Sequence, residues 1–287
     1  MADVSTQSGI AAAAAAARAA RKGARVIVVM PAYNAAATLV KTYESIPPGA
    51  CDAVVLVDDR SSDETADIAE KLNLTTLRHR HNRGYGGNQK TCYTKALELG
   101  ADVVVMLHPD NQYDPGIIPD LVAPIADGKA DIVLASRFLG RPLAGGMPLY
   151  KYIFNRGLTG LENLVLGRSF SEYHTGYRAF SREALLALNF EANSEDFVFD
   201  NEIIVQGVLA GLRFTEVPVR THYATDSSSV GVATSLRYGL GCCRVMLESI
   251  LHRANLATFK RYPRKPPRLV PGMPGVREAP AADAKRT

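Results

Sequence analysis

The chain has no tryptophan, only four cysteines among 287 residues, and no stretch near the roughly 18 apolar residues that a membrane-spanning helix needs. Cys51, Cys92, Cys242 and Cys243 show no metal-ligand spacing, and the adjacent pair cannot close an ordinary disulfide. A disulfide-stapled scaffold is thereby excluded, and a reducing cytoplasmic setting fits. Residues 11–17 are all alanine but have no basic n-region before them and no bulky apolar core, so they do not form a secretory signal. Residues 1–23 read instead as a flexible or transiently helical leader.

Charge is also unevenly supplied. Residues 253–287 hold nine Lys or Arg against two Asp or Glu, so this tail is +7 and the remainder is −3 of the total +4. The tail carries Pro263, Pro266, Pro267, Pro271, Pro274 and Pro280 as well, which reads as disorder beyond about Tyr262. Such a tail is suited either to contact with anionic lipid at the inner face of a membrane or simply to keeping the protein soluble. No nucleic-acid partner is expected. The division is a leader (1–23), one large α/β domain (24–254) and a basic tail (255–287).

What the chain has in quantity is apolar residues, 47% of the total, grouped in short β-branched runs. Residues 25–30, 53–57, 75–78, 103–107 and 131–135 read as strands, and helical stretches separate them. That alternation calls for a mostly parallel sheet with right-handed crossovers. Later, 148–166, 197–210 and 231–253 read as helices and 214–219 as a last strand, with an irregular polar and aromatic segment at 171–178. The last helix carries an apolar stripe through Leu236, Leu240, Cys243, Leu247 and Leu251, expected to face the core or a second copy of the chain in a homo-oligomer ahead of a membrane surface.

The strand at 103–107 ends in His108-Pro-Asp-Asn-Gln-Tyr-Asp114. Open α/β sheets bind ligands beyond the carboxyl ends of their strands, and oxygen and imidazole groups gathered there suit a hard divalent cation with a diphosphate. Turn chemistry alone also accounts for such residues. The strand at 53–57 runs into Asp58 and Asp59, adjacent carboxylates that repel one another and read as acceptors for a ligand. Ser61 and Glu64 have capping-box spacing for the next helix. Gly84-x-Gly86 lacks a third glycine at Gln89 and does not make a dinucleotide fingerprint.

Seven motifs follow one another: Val-Val-Met-Pro-Ala-Tyr-Asn34, Val57-Asp-Asp-Arg-Ser-Ser-Asp-Glu-Thr65, Asn82-x-Gly84, Met106-Leu-His-Pro-Asp-Asn-Gln-Tyr-Asp-Pro115, Ala135-Ser-Arg-Phe138, His174-Thr-Gly-Tyr-Arg-Ala-Phe180 and Glu216-Val-Pro-Val219. In this order they resemble the family 2 glycosyltransferases, within them the dolichyl- and polyprenyl-phosphate sugar transferases. The resemblance spans roughly residues 26–238. It implies a GT-A fold, a nucleotide-diphosphate sugar donor, Mg²⁺ or Mn²⁺, and inversion at the anomeric carbon. It further implies that Pro31, Tyr33 and Asp59 line the base and ribose pocket, with Asp58 beside them and Asn82 on the same side. The family's Asp-x-Asp-x-Gln run falls on His108, Asp110 and Gln112, so Asp110 and Gln112 would hold the metal. His108 departs from the pattern: it either ligates or, as a neutral ring, donates to ribose or phosphate. Arg137 and Arg178 match arginines that approach phosphates, and Asp196 stands where an acid serves as general base, with helix capping as its competing role.

The acceptor is less defined. Lipid-phosphate transferases follow the last motif with Arg-x-x-Gly-x-Ser-Lys, whereas this chain continues Arg220-Thr-His-Tyr-Ala-Thr-Asp-Ser-Ser-Ser229. A soluble or membrane-peripheral sugar transferase with its acceptor left open, a hydroxyl compound or a polyprenyl phosphate, is expected first, and a dedicated polyprenyl-phosphate transferase is the first alternative. A sugar nucleotidyltransferase would want a Gly-rich basic loop where Pro31-Ala-Tyr-Asn34 stands. A non-catalytic nucleotide-sugar binding protein is the remaining alternative.

Overall fold

Strands rich in valine and isoleucine lose little by being extended and gain by being covered on both faces. The computed structural model, which describes residues 4–140, 142–221 and 232–263, shows how this chain covers them. The elements run α1 (Val4–Arg21), β1 (Val26–Ala32), α2 (Leu39–Glu44), β2 (Ala53–Asp58), α3 (Thr65–Lys71), β3 (Thr75–Arg78), α4 (Gly84–Glu98), β4 (Val103–Met106), α5 (Ile118–Ala126), β5 (Ile132–Ser136), α6 (Leu149–Leu166), β6 (Arg178–Ser181), α7 (Arg182–Ala187), α8 (Phe199–Leu209), β7 (Phe214–Pro218) and α9 (Val232–Arg253). The sheet order is β3-β2-β1-β4-β6-β5-β7. All pairings are parallel except those of β6, which runs antiparallel to both β4 and β5.

Alternate residues of each strand point to opposite faces, and each face has its own core. Ile27, Val29, Val55, Val57, Val104 and Met106 pack with Tyr93 of α4, Phe199 and Ile203 of α8 and Met246 of α9. Val26, Val28, Met30, Leu56 and Val105 pack with Ala17 of α1, Leu39 of α2 and Leu121 and Val122 of α5. Both faces are therefore dry, which is why the strands read as unbroken apolar runs rather than as alternating ones.

Several expectations need correcting. The leader is a helix, α1, which packs against α5, and its Arg21 pairs with Asp52 and donates to the Gly49 carbonyl at 3.0 Å. Ala17 is buried there. The expected capping box is not formed. Helix α3 starts at Thr65, and the Ser61 hydroxyl accepts from Asn34 N–H at 2.9 Å, tying the loop after β1 to the loop after β2. Strand β6 and helix α7 were not expected at all. Neither shows a period, because β6 is only four residues long and buried on both faces.

The stripe on α9 faces outward. Leu236, Leu240 and Leu247 are more than half exposed, while Cys242, Val245, Met246 and Ser249 face inward. Residues 255–263, counted with the tail, pack on the domain up to about where disorder was expected to begin: Tyr262 is buried and Arg261 pairs with Glu202 and Glu248. Residues 264–287, on which the rest of the expected disorder falls, and residues 222–231 lie outside the described residues. Among the described residues no helix is long and apolar enough to cross a membrane.

Candidate active site

The loops leaving β1, β2 and β4 meet at one edge of the sheet. Each contains one non-glycine residue with positive φ: Asn34 (51°), Arg60 (66°) and Asn111 (57°). Asparagine adopts this conformation readily, whereas for arginine it costs about 1 kcal/mol or more. Positive φ recurring in three adjacent loops, with strain at Arg60, singles out this carboxyl edge of the sheet.

Asp58 and Asp59 sit there, almost fully buried, and the structure gives each of them protein donors. Asp58 accepts from Ser61 N–H at 3.2 Å and faces Arg78 Nε at 3.3 Å. Asp59 Oδ1 accepts from Arg83 N–H at 2.8 Å and lies 2.6 Å from His79 Nδ1. These contacts offset the repulsion between neighbouring carboxylates. Both donors to Asp59 meet the same oxygen, Oδ1. Asn82 braces the same loop, donating to the Asp59 carbonyl at 3.1 Å and accepting from Gly84 N–H at 3.0 Å. Pro31 is buried at the end of β1, and the Tyr33 ring is 57% exposed beside it.

The loop after β4 divides its residues between surface and interior. Asp110 is exposed, and its Oδ1 accepts only from Gln112 N–H at 3.1 Å, so the run Asp110-Asn111-Gln112 forms a tight turn with two oxygen-bearing side chains. His108 points the other way. Its Nε2 lies 3.1 Å from the Tyr85 hydroxyl, and the two rings stack at 5.4 Å. Tyr85 donates in turn to Asp200 Oδ2 at 2.6 Å. Asp200 Oδ1 accepts from Gln89 Nε2 at 2.7 Å and pairs with Arg178 at 2.5 Å. Burial pushes the His108 ring below its ordinary range, against the opposing pull of Asp110 and Asp200, so the ring is kept neutral. His108 Nε2 thus belongs to a buried network, a correction to its expected place among metal ligands.

Arg178 is corrected likewise. It is fully buried beneath the site, with Asp200 raising its affinity for protons against the cost of burial, and a phosphate at the surface does not meet it. Arg137, at the end of β5, pairs with the buried Glu172 and donates to the His174 carbonyl at 3.1 Å, so it fixes the 167–177 segment in place. Asp196 is exposed at the mouth and accepts from Phe197 N–H at 2.7 Å, but the N-cap of α8 is Val198, with no side-chain bond, so the capping role is not filled. Phe197 carries the mouth towards Tyr85, ring to ring at 4.7 Å.

Two features escaped the sequence reading. Asp200 looked like one more acid at a helix start, and only its burial next to Arg178 and Tyr85 reveals its part. The glycines at 84–87 were rejected as a nucleotide loop, and their use is steric: a Cβ on Gly84 would lie 2.6 Å from the Glu195 carbonyl oxygen, and Gly86 N–H donates to that oxygen at 2.9 Å. They let α4 touch the 194–196 segment and so close the site from the side. Gly176 is equally confined, since a Cβ there would stand 2.6 Å from His108 Nε2. Gly176→Ala is expected to displace the imidazole, to lower stability by roughly 1–3 kcal/mol as overpacking does, and to weaken donor binding; thermal melts with and without nucleotide check both effects.

Comparison with known proteins agrees with this geometry. The profile of glycosyl transferase family 2 matches residues 27–188. The chain is 27% identical over 240 residues to a UDP-N-acetylglucosamine–dolichyl-phosphate N-acetylglucosaminyltransferase of Methanococcus voltae, covering 78% of this chain and 96% of that one. It is 26% identical over 202 residues to an undecaprenyl-phosphate mannosyltransferase of Micrococcus luteus, covering 68% and 82%. Among solved structures it is similar to glucosyl-3-phosphoglycerate synthase of Mycobacterium tuberculosis in complex with Mn²⁺, UDP and phosphoglyceric acid, with a TM-score of 0.63 at 19% identity, covering 83% and 82%. The sheet is that of a GT-A glycosyltransferase, and the chain belongs to glycosyl transferase family 2.

Proposed function

We propose that this protein is a hexosyltransferase that moves a sugar from a nucleoside-diphosphate sugar to the phosphate of a polyprenyl lipid, with inversion, while resting on a membrane surface. The observation that carries the lipid acceptor is an exposed apolar face beside the mouth of the site. Leu149, Ile153 and Phe154 of α6 and Leu236, Leu240 and Leu247 of α9 are all substantially exposed. The two helices touch, and α9 reaches the start of α8 where Gly241 packs on Val198, two residues from Asp196. Arg156, Arg237 and Arg244 stand exposed on the same helices, as a surface facing anionic lipid requires. Two relatives are named as acting on polyprenyl phosphates, which supports the same reading.

At the donor edge, the exposed Tyr33 ring offers a face for a base, and Asp59 has Oδ2 to offer a ribose hydroxyl. The side-chain oxygens of Asp110 and Gln112 fit a hard ion such as Mg²⁺ or Mn²⁺, which completes its shell with diphosphate and water. A bound divalent ion supplies charge neutralisation for the departing nucleoside diphosphate. With a single carboxylate in the set, the protein holds such an ion weakly until the donor brings its own charge. The His108 network beneath keeps the loop in register.

A lipid phosphate arrives already ionised and needs no general base. Asp196→Asn is therefore expected to change turnover by no more than a few fold, against the roughly 10²–10⁴-fold loss that removing a base costs with an alcohol acceptor. The assay supplies labelled UDP- and GDP-sugars with Mn²⁺ and either undecaprenyl phosphate in detergent or 3-phosphoglycerate in buffer. Label extracted with the lipid supports the proposal. Label found only on the soluble acceptor overturns it, and a stable dimer without binding to anionic vesicles reassigns the apolar face to self-association.

A further inference from the structure

Away from the donor edge, α6, α9 and the segment before β6 bring Glu162, His174 and Cys242 together, with one ligand atom from each within 4.8 Å of the others. Nothing in their spacing along the chain suggests this, since 12 and 68 positions separate them. Glu162 and Cys242 are fully buried and the His174 side chain is 4% exposed.

The outward atoms of this group are already held. His174 Nδ1 lies 2.9 Å from the Tyr238 hydroxyl. Glu162 Oε1 accepts from Asn201 Nδ2 at 2.5 Å. The inward atoms are not: Glu162 Oε2 and His174 Nε2 face one another at 3.3 Å, both sealed from solvent, and neither makes a hydrogen bond. Where Nδ1 donates to the Tyr238 hydroxyl, Nε2 is bare, so two buried lone pairs confront each other at 3.3 Å and a cation fits between them. This is the arrangement of a metal site whose ligands are oriented by a second layer of hydrogen bonds.

We infer that Glu162, His174 and Cys242 form a buried site for a borderline divalent transition metal such as zinc, separate from the donor-edge cation. One thiolate, one imidazole and one carboxylate suit such an ion and not Mg²⁺. The site clamps α6 and α9 to the segment that Arg137 also fixes, so it sets the rigidity of the acceptor side rather than taking part in transfer.

The test loads the full-length, chelator-treated protein with Co²⁺ alone and then Zn²⁺ alone. One equivalent of Co²⁺ is expected to give the thiolate-to-cobalt charge-transfer band and visible absorption of a tetrahedral site, displaced by Zn²⁺. Asp110→Ala and Cys243→Ser are expected to leave this signal unchanged. Cys242→Ser is expected to weaken binding by more than the roughly 10–100-fold that loss of an orienting partner costs, as in Tyr238→Phe. If Cys242→Ser fails to fold, X-ray absorption at the zinc edge of the wild type decides, one sulfur per zinc supporting the site. A wild type that gives no thiolate band, or one whose zinc shell holds no sulfur, overturns it.

Discussion

Asp110→Ala is expected to abolish donor binding in the presence of metal and to lower transfer by at least about 100-fold. The carboxylate is exposed and accepts a single backbone hydrogen bond, so its loss leaves the fold almost untouched. What it removes is the one full negative charge the turn after β4 directs at a cation. Wild type at a donor concentration of about 100 times Kd should gain roughly 2.7 kcal/mol, a rise of several degrees in Tm for a domain of this size. The gain should need both nucleotide and Mn²⁺ in wild type and be missing from Asp110→Ala under every condition. A variant that keeps a metal-dependent shift would place the cation elsewhere.

The second large effect is on stability. Arg178 is the largest fully buried side chain, and its guanidinium meets Asp200 Oδ1 at 2.5 Å and the Asp200 carbonyl at 3.2 Å. Replacing it with methionine keeps the volume and leaves the Asp200 carboxylate buried without its countercharge. Breaking a buried pair from one side costs about 3–5 kcal/mol, on the order of 10 °C in melting temperature here. Replacing both partners, Arg178→Met with Asp200→Leu, should recover part of the loss, because charge and countercharge leave together while Tyr85 and Gln89 lose their acceptor. If the single variant melts within a degree or two of wild type, the pair is not the countercharge described. Because Asp200 also accepts from Tyr85, which meets His108, the single variant should loosen the donor loop as well as the core.

How far the sequence foretold these features follows from the range of the interactions. The strands and the long helices were legible because their signals are local: 26–32, 53–58 and 103–106 are apolar runs, and burial on both faces is what such runs report. The polar clusters at the carboxyl ends of β1, β2 and β4 were legible for the same reason, one strand end at a time, and the parallel pairing gathers them at one edge. Strand β6 was not, since four residues beginning with arginine announce a strand only when β4 and β5 are already there to pair with it. The stripe of α9 was legible as an apolar face but its direction was not, because periodicity locates such a face without saying what covers it; its exposure rules out only the core. Arg137 and Arg178 match the family pattern in sequence, yet Glu172 and Asp200 claim their guanidinium groups.

The reversed strand bears on how such a protein can change over time. Since β6 opposes its neighbours, the segment feeding it arrives at the same rim as the loops from β1, β2 and β4, while its departing end is pinned at the opposite rim, where Ser181 N–H reaches the Asp131 carbonyl at 2.8 Å and Arg182 N–H reaches that of Asp102 at 2.9 Å. Residues can be gained or lost between β5 and β6 without sliding any strand against another. A lineage could therefore lengthen, shorten or rewrite that stretch and inherit the donor half intact.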